Sequence, residues 1–295
     1  MTRVAILHNS PQPTWSSRRL MKALSELGAK PVYMVWGYTG VGVGSQCPLR
    51  YRGRCLDVDA IIVRGFGRGL SVEKYMYRHA FLKAAESEGI LVVNPADAIF
   101  TARDKFTSLR LLSKHGIPVP YTVVSENPSE ALMEVGRLGR AVLKPITGSL
   151  GLGSFMVSSI DTAYYIVNLL LSLNQPIYLQ RYLEKKGNRD LRVFVVEDRA
   201  VAAIYREAPH GFWKTNIARG ARAVPASPRS EIVEAAVKSS QILGLIYAGV
   251  DIIEYEEGFA VIEVNASPLW RGLQSATGID PARHIAEAVL RRARR

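Results

Sequence analysis

The 295-residue chain has no apolar run long enough to cross a bilayer, although 48% of its residues are apolar. It therefore reads as a soluble globular protein with room for one large core or two to three lobes. Met1 to His8 pass directly into a strand-like segment that is too short for a signal-peptide core and lacks a small-residue cleavage pattern, so the expected compartment is the cytosol. Cysteine is scarce: Cys47 and Cys55 lie eight apart in a Gly- and Arg-rich region, with no further ligands spaced for zinc, and free thiols are expected. No Ser-His-Asp or Cys-His set is evident. Acidic residues are in deficit, and the formal charge of +12 predicts attraction to polyanions without saying which. The basic residues are dispersed except in Arg291-Arg292-Ala-Arg294-Arg295, where cations also favour the end of a helix. A nucleic-acid-binding protein without enzymatic activity would explain that charge. It would leave the carboxylates described next unexplained.

Those carboxylates lie between Tyr247 and Asn265. Tyr247–Tyr255 and Phe259–Val264 are rich in β-branched and aromatic residues, and the three residues between them end in Gly258, as a short hairpin loop should. That turn places Asp251 opposite Glu263, and side-chain alternation puts Asn265 on the same surface as Glu263. Two carboxylates and an amide oxygen among apolar neighbours are suited to a hard cation, magnesium above all. A solvated hairpin with charges on its outer face is the plainer alternative.

Upstream the chain has an α/β beginning. Val4 to Leu7, Pro31 to Trp36, Ala60 to Val63 and Ile90 to Val93 read as strands, with helices from Ser16 to Leu27 and from Val72 to Ser87. The Gly37 to Gly44 stretch has four glycines but no following helix, so it reads as a surface loop and not a nucleotide loop. A helix from Asp104 to His115 carries Lys105 in its first turn, against the helix dipole, which hints at an anion beside it. Ala141 to Lys144 is a short strand, followed by a loop with Gly148, Ser149, Gly151 and Gly153 and a second strand from Ser154. Glycines that open no helix exclude a Rossmann turn or a P-loop, and what remains is a flap whose amides can face an anion. Pro176 to Leu183 reads as a strand running into a connector that could meet a planar base. Asp190 and Arg192 share a face of the next hairpin; whether Arg206 joins them depends on register, because a one-residue slip reverses every side chain. Glu207 to Pro225 is long for an idle loop. A helix from Pro228 to Gly244 packs behind the carboxylate hairpin.

Taken in order, these features resemble the ATP-grasp ligases. The stretches Asn188-Arg189-Asp190-Leu-Arg192, Lys214-Thr215-Asn216-Ile-Ala-Arg219-Gly220 and Glu263-Val-Asn265-Ala-Ser-Pro are similar to those of the RimK-like alpha-L-glutamate ligase family. The resemblance covers essentially the whole chain. It implies an α/β protein with α+β lobes: a pre-ATP-grasp domain over residues 1–94, a central ATP-grasp lobe with the glycine flap over 95–176, and a C-terminal lobe with the metal hairpin over 177–295. It also implies that Lys105 and Lys144 contact ATP phosphates, that Gly148, Ser149, Gly151 and Gly153 cover them, and that Gln180, Arg181, Tyr182 and Leu183 line the adenine slot. Asp190, Lys214, Thr215 and Asn216 would complete the nucleotide site. Asp251, Glu263 and Asn265 would hold two Mg2+ ions, or Mn2+, while Arg192 and Arg206 would face the carboxylate and its acyl phosphate. Arg181 departs from the acidic residue of many relatives, a difference of little consequence if that contact is made by backbone.

The acceptor is less sharply marked. Val63-Arg64-Gly65 and Leu269 to Ser275 resemble the archaeal tetrahydromethanopterin glutamate ligases, whereas Arg206 and the Asn216 to Gly220 stretch resemble LysX, which acts on the acidic carrier protein LysW. Modification of a ribosomal protein tail is a third possibility. The family also implies a homo-oligomer, dimer or tetramer, with no membrane and no nucleic acid as partner.

Overall fold

In the computed structural model, which describes residues 1–67, 70–148, 152–215, 217 and 220–293, Val4, Ala5, Ile6 and Leu7 are fully buried. They form the middle of β1 (Arg3–His8), a strand covered on both faces, which is why it is apolar without alternation. Helix α1 (Trp15–Glu26) is capped by the Thr14 hydroxyl, which accepts from the Ser17 amide, and buries Leu20, Ala23 and Leu24. It leads to β2 (Lys30–Val35), then to a small antiparallel sheet of β3 (Thr39–Val41), β4 (Leu49–Tyr51) and β5 (Arg54–Cys55). The glycine stretch is thus partly strand. Its hairpins also carry a correction: Cys47 and Cys55 are joined in a disulfide, their Cα atoms 5.4 Å apart. Spacing alone did not show the turn at Arg52-Gly53 that folds β5 back beside β4 and closes the distance. After β6 (Ala60–Val63), α2 (Val72–Ser87) and β7 (Leu91–Val93), the first lobe is a parallel sheet of order β2-β1-β6-β7.

Helices α3 (Ala96–Arg103) and α4 (Lys105–Lys114) follow. Asp104 separates them and caps the second by accepting from the Phe106 and Thr107 amides, so the helix expected from Asp104 begins as predicted but has an unforeseen neighbour before it. The second sheet comprises β8 (Thr122–Ser125), β9 (Ala141–Lys144), β10 (Phe155–Val157) and β11 (Ile177–Arg181) in the order β10-β9-β11-β8, backed by α5 (Pro128–Leu138) and α6 (Ile160–Ser172). Since β11 pairs with both β8 and β9, residues 177–181 belong by hydrogen bonding to the central sheet and not to the sheet that follows.

The third sheet, β14-β13-β12-β15-β16, is built from β12 (Arg189–Val196), β13 (Arg199–Glu207), β14 (Arg222–Pro225), β15 (Tyr247–Tyr255) and β16 (Gly258–Asn265). Helix α7 (Ser230–Ile242) packs on it, and α8 (Arg271–Thr277) and α9 (Pro281–Ala293) close the chain. Two buried clusters join the first and third lobes: Leu20 and Leu24 of α1 pack with Ile285 and Val289 of α9, and Ala5 and Leu7 belong with Leu191 and Val250. The central lobe keeps a separate core, drawn from residues 131–179.

Both hairpins of the third sheet have two-residue turns, at Glu197-Asp198 and Glu256-Glu257, and each contains a bulge. Val195 pairs with Ala200 but Phe194 with Ala202, leaving Val201 over; Ile252 pairs with Val261 but Asp251 with Glu263, leaving Ile262 over. If the strands ran from the same turns with no bulge, Arg206 would lie opposite Arg189 and Glu263 opposite Val250, facing away from Asp190 and Asp251. The expected three-residue turn is therefore corrected to two, while the expected pairing of Asp251 with Glu263 stands.

Candidate active site

Alternation and the two bulges bring Asp190, Arg192, Arg206, Asp251 and Glu263 onto one face of the third sheet. Asp190 lies opposite Arg206, Arg192 opposite Asp251, and Asp251 opposite Glu263. Arg206 donates from Nε and Nη2 to the two oxygens of Asp190 at 2.6 and 2.8 Å, and its Nη2 lies 3.1 Å from Asp251 Oδ2. Arg192 forks onto Asp251, with both bonds at 2.6 Å. Burial alone would raise the Asp251 pKa, but the two guanidinium groups outweigh it and hold the carboxyl below its ordinary range. Arg206 is held above its own ordinary value, the pull of Asp190 and Asp251 overcoming desolvation. Thr215 donates its hydroxyl to Asp190 Oδ2 and accepts from Lys185 Nζ, which also bonds the Trp213 carbonyl, so the loop after β13 is latched to this face.

Helix α4 and the central sheet supply cations from the other side. Lys105 Nζ donates to the Gly148 carbonyl at 3.0 Å and lies 3.4 Å from Glu263 Oε1. Lys144 Nζ donates to Gln180 Oε1 at 3.0 Å, and Gln180 is fixed in turn by bonds from its Nε2 to Thr122 and Tyr178. Burial, with Lys105 nearby, lowers the Lys144 pKa to about 8 against the opposing pull of Glu263 and Asp251. Burial likewise lowers that of Lys185. The flap turns on Gly153, at φ +72°, where a Cβ would come within 3.3 Å of Pro145.

Between the lobes is a cleft lined by residues of both. Of the sequence-predicted residues it collects Lys105, Lys144, Gly148, Gln180, Arg181, Tyr182, Leu183, Asp190, Arg206, Lys214, Thr215, Asp251 and Glu263. Arg192, Gly153 and Asn265 are outside its lining; Arg192 reaches it through Asp251. Ser149, Gly151 and Asn216 lie outside the described residues, as do Arg219, Arg294 and Arg295. Lys105, Lys144, Lys185, Arg192 and Arg206 outnumber the carboxylates of Asp190, Asp251 and Glu263, so the cleft suits a polyanion. Its lining also includes apolar residues, among them Val142, Ile253, Ile262 and Trp213. Sequence reasoning missed these and Lys185. Alternation from Lys144 and Asp251 could have found Val142 and Ile253, but Ile262 faces the cleft only because it is the bulge residue. In the connector the Arg181 and Tyr182 amides donate to the Tyr121 and Arg140 carbonyls.

The cation expected at the hairpin can be tested against the donors. Among the described residues no three His, Cys, Asp or Glu side chains are grouped for a metal. Glu263 and Asn265 are two residues apart on one strand and fit, each retaining an oxygen: Glu263 pairs loosely with Lys105, and Asn265 uses its Nδ2 toward the Gly249 carbonyl at 3.5 Å. Asp251, with both oxygens accepting from arginine, fits with the lone pair its partners leave. Such a set suits an ion whose octahedron is completed by phosphate oxygens and water.

A family model, the RimK-like ATP-grasp domain, matches residues 102–289. The "Probable alpha-L-glutamate ligase" of Pseudomonas fluorescens is 33% identical over 291 residues, covering 97% of this chain and 95% of that protein. The tetrahydromethanopterin:alpha-L-glutamate ligase of Methanosarcina acetivorans is 32% identical over 324 residues, covering 97% and 98%. In fold, the chain is similar to the ATP-grasp ligase PsnB complexed with minimal precursor, Mg and ADP, with a TM-score of 0.74 at 20% identity over 99% of this chain and 98% of that one. It is similar also to a RimK domain ATP-grasp protein from Sphaerobacter thermophilus, with a TM-score of 0.74 at 22% identity over 98% and 100%.

Proposed function

Because the chain belongs to the RimK-like ATP-grasp family of ATP-dependent ligases, we propose that its cleft binds ATP and joins L-glutamate to a carboxylate acceptor through an acyl phosphate. The observation that carries this reading is the row Arg206–Asp190 and Arg192–Asp251–Glu263 facing Lys105 and Lys144, with apolar side chains in the same lining. The apolar residues of the lining take the adenine, and Lys105 and Lys144 neutralise phosphate oxygens. Glu263 and Asn265, with Asp251, would hold magnesium, which supplies further charge neutralisation on the phosphates when bound. An acceptor carboxylate oxygen attacks the γ-phosphorus as the bond to ADP breaks; the glutamate amine then attacks the acyl carbon, phosphate leaves with the bonding pair, and the amine loses a proton. Arg192 and Arg206 stabilise the charge that moves from carboxylate to phosphate, and the lobes hold the reactants in place, which is most of what phosphoryl transfer asks of a protein.

The acceptor proposed is a small coenzyme carboxylate of the tetrahydromethanopterin kind, on the strength of the Methanosarcina relative. The charge of +12 favours a second reading, an acidic carrier protein. ATP-dependent incorporation of labelled L-glutamate into each acceptor class tests both, and no incorporation into either with ATP bound would reject the substrate assignment.

Lys144 gives a pH signature. Its pKa of about 8 means the ammonium is present below that pH and lost above it, so ATP affinity should fall about tenfold between pH 7 and pH 9, the magnitude of one charged hydrogen bond. Lys144→Arg, charged throughout, should flatten the profile, while Lys144→Met should bind weakly at every pH. Calorimetric titration with ATP at each pH measures all three; a flat wild-type profile would remove Lys144 from phosphate contact.

A further inference from the structure

The first sheet has a topological switch point that the reading above leaves unused. From β1 the chain runs to one edge for β2 and later returns to the other side of β1 for β6, all strands being parallel. The carboxyl ends of β1 and β6 therefore diverge, and that is where open parallel sheets receive ligands. His8 ends β1, and Arg64 and Gly65 follow β6. At Gly65 a Cβ would lie 2.5 Å from Asn9 Oδ1 and 2.7 Å from His8 Nε2, so the absence of a side chain lets His8 lean over the strand end.

This switch point adjoins the chemistry. Arg64 Nη2 donates to the Pro268 carbonyl at 2.7 Å, and Ser267 Oγ to the Val63 carbonyl at 2.7 Å, so the segment leaving Asn265 is stitched to the end of β6. Pro268 packs on Gly249, and a Cβ there would be 2.7 Å from Pro268 and 3.6 Å from Arg192 Nε. A continuous line of contacts thus runs from His8 and Gly65 through Arg64, Pro268 and Gly249 to the Arg192–Asp251 pair.

Its polarity is one-sided. The Ser10 amide donates to His8 Nδ1 at 2.8 Å, so the neutral ring carries its proton on Nε2 and is a donor there. Burial, and then Arg64, lower the His8 pKa to about 4; the ring stays neutral and is too weak a base to deprotonate an ammonium group. Arg64 is buried with its Nε unpartnered, and among the described residues neither it nor His8 pairs with a carboxylate of the chain.

We propose that this switch point, bounded by His8, Arg64 and Gly65, binds a non-reacting carboxylate of the amino-acid substrate. The proposal rests on the ligase reading. There the acceptor spends its carboxylate at the phosphate end, whereas glutamate offers its amine and keeps two carboxylates that need donors. His8→Phe preserves the ring's bulk and removes its donor; His8→Gln keeps an N–H. Calorimetry of L-glutamate binding, with a non-hydrolysable ATP analogue and magnesium present, should show His8→Phe weakened about tenfold or more and His8→Gln largely restored, the analogue's own affinity being unchanged. Gly65→Ala, whose Cβ must displace His8, should behave as His8→Phe does. γ-Aminobutyrate and L-norvaline identify the bound group, since the analogue lacking it will not distinguish wild type from His8→Phe. Equal glutamate affinity in wild type and His8→Phe, or no glutamate binding by wild type loaded with the analogue, overturns the switch-point assignment and leaves the ligase reading intact. Failure of the analogue itself to bind overturns the ligase reading instead.

Discussion

Arg206→Met is expected to remove turnover and to lower stability by about 3–5 kcal/mol, the usual cost of breaking a buried ion pair from one side. The substitution keeps most of the stem and deletes the guanidinium. Asp190 then loses both of its arginine bonds and Asp251 one of its two cationic partners, in a place where Arg206, Asp190 and Asp251 side chains are each only 5% exposed. Thr215 and Arg192 remain as partners, so the sheet should still form. Adding Asp190→Asn should restore part of the stability, because the stranded charge disappears, but none of the turnover. The deficit should also depend on pH. The arginines depress the folded-state pKa of Asp251, so its contribution to stability is complete above the unfolded value near 4 and is lost as pH falls through the lower folded value; acidification below about pH 4 should narrow the gap between variant and wild type. Urea titrations at neutral and acidic pH measure this. A variant as stable as wild type at pH 7 would mean that Arg206 is not what holds the two carboxylates.

Glu263→Gln should behave in the opposite way, with activity down by about a hundredfold at unchanged stability. The size of the loss is that of removing one charge-stabilising contact from a transition state. Stability should hold because the one ion pair of Glu263 among the described residues, with Lys105, is 3.4 Å long and its carboxylate is partly exposed, and pairs of that kind contribute little. Nucleotide and magnesium should bind cooperatively to wild type, since two or three protein ligands cannot complete the ion's shell, and that cooperativity should weaken in the variant. Melting temperature and ATP-dependent rate, taken on one preparation, decide the matter. Near-normal turnover would exclude Glu263 from the metal site.

The face that carries this chemistry was legible because alternation along a strand is local: Asp190 with Arg192, and Glu263 with Asn265, needed no knowledge of neighbours. Register is not local. Arg206 could not be assigned until the bulge at Val201 was seen, and the pairing of Asp251 with Glu263 was reached through a three-residue turn that does not exist. A longer turn and a bulge each add one residue to the same strand, so both arrive at the same partner. Cys47 and Cys55 were misread for a related reason, their approach being made by strand pairing and not by spacing. Lys185 has no local mark at all; it becomes part of the site when the loop carrying Trp213 and Thr215 folds back onto it.

The division of the apolar core has a thermodynamic consequence. Where two lobes share buried clusters, neither can melt without exposing the other, so the first and third lobes form one cooperative unit. The central lobe, with its core confined to residues 131–179, is a second and smaller unit, tied to the first by polar contacts such as those from Lys105 Nζ to the Gly148 carbonyl and from the Lys105 amide to the Ile146 carbonyl. A polyphosphate held by Lys144 on one unit and by the carboxylate-bound ion on the other would couple two folding equilibria that are otherwise weakly linked. The ligand would then act as the missing piece of interior between them, and the free energy of that coupling would set how tightly the cleft closes before chemistry begins.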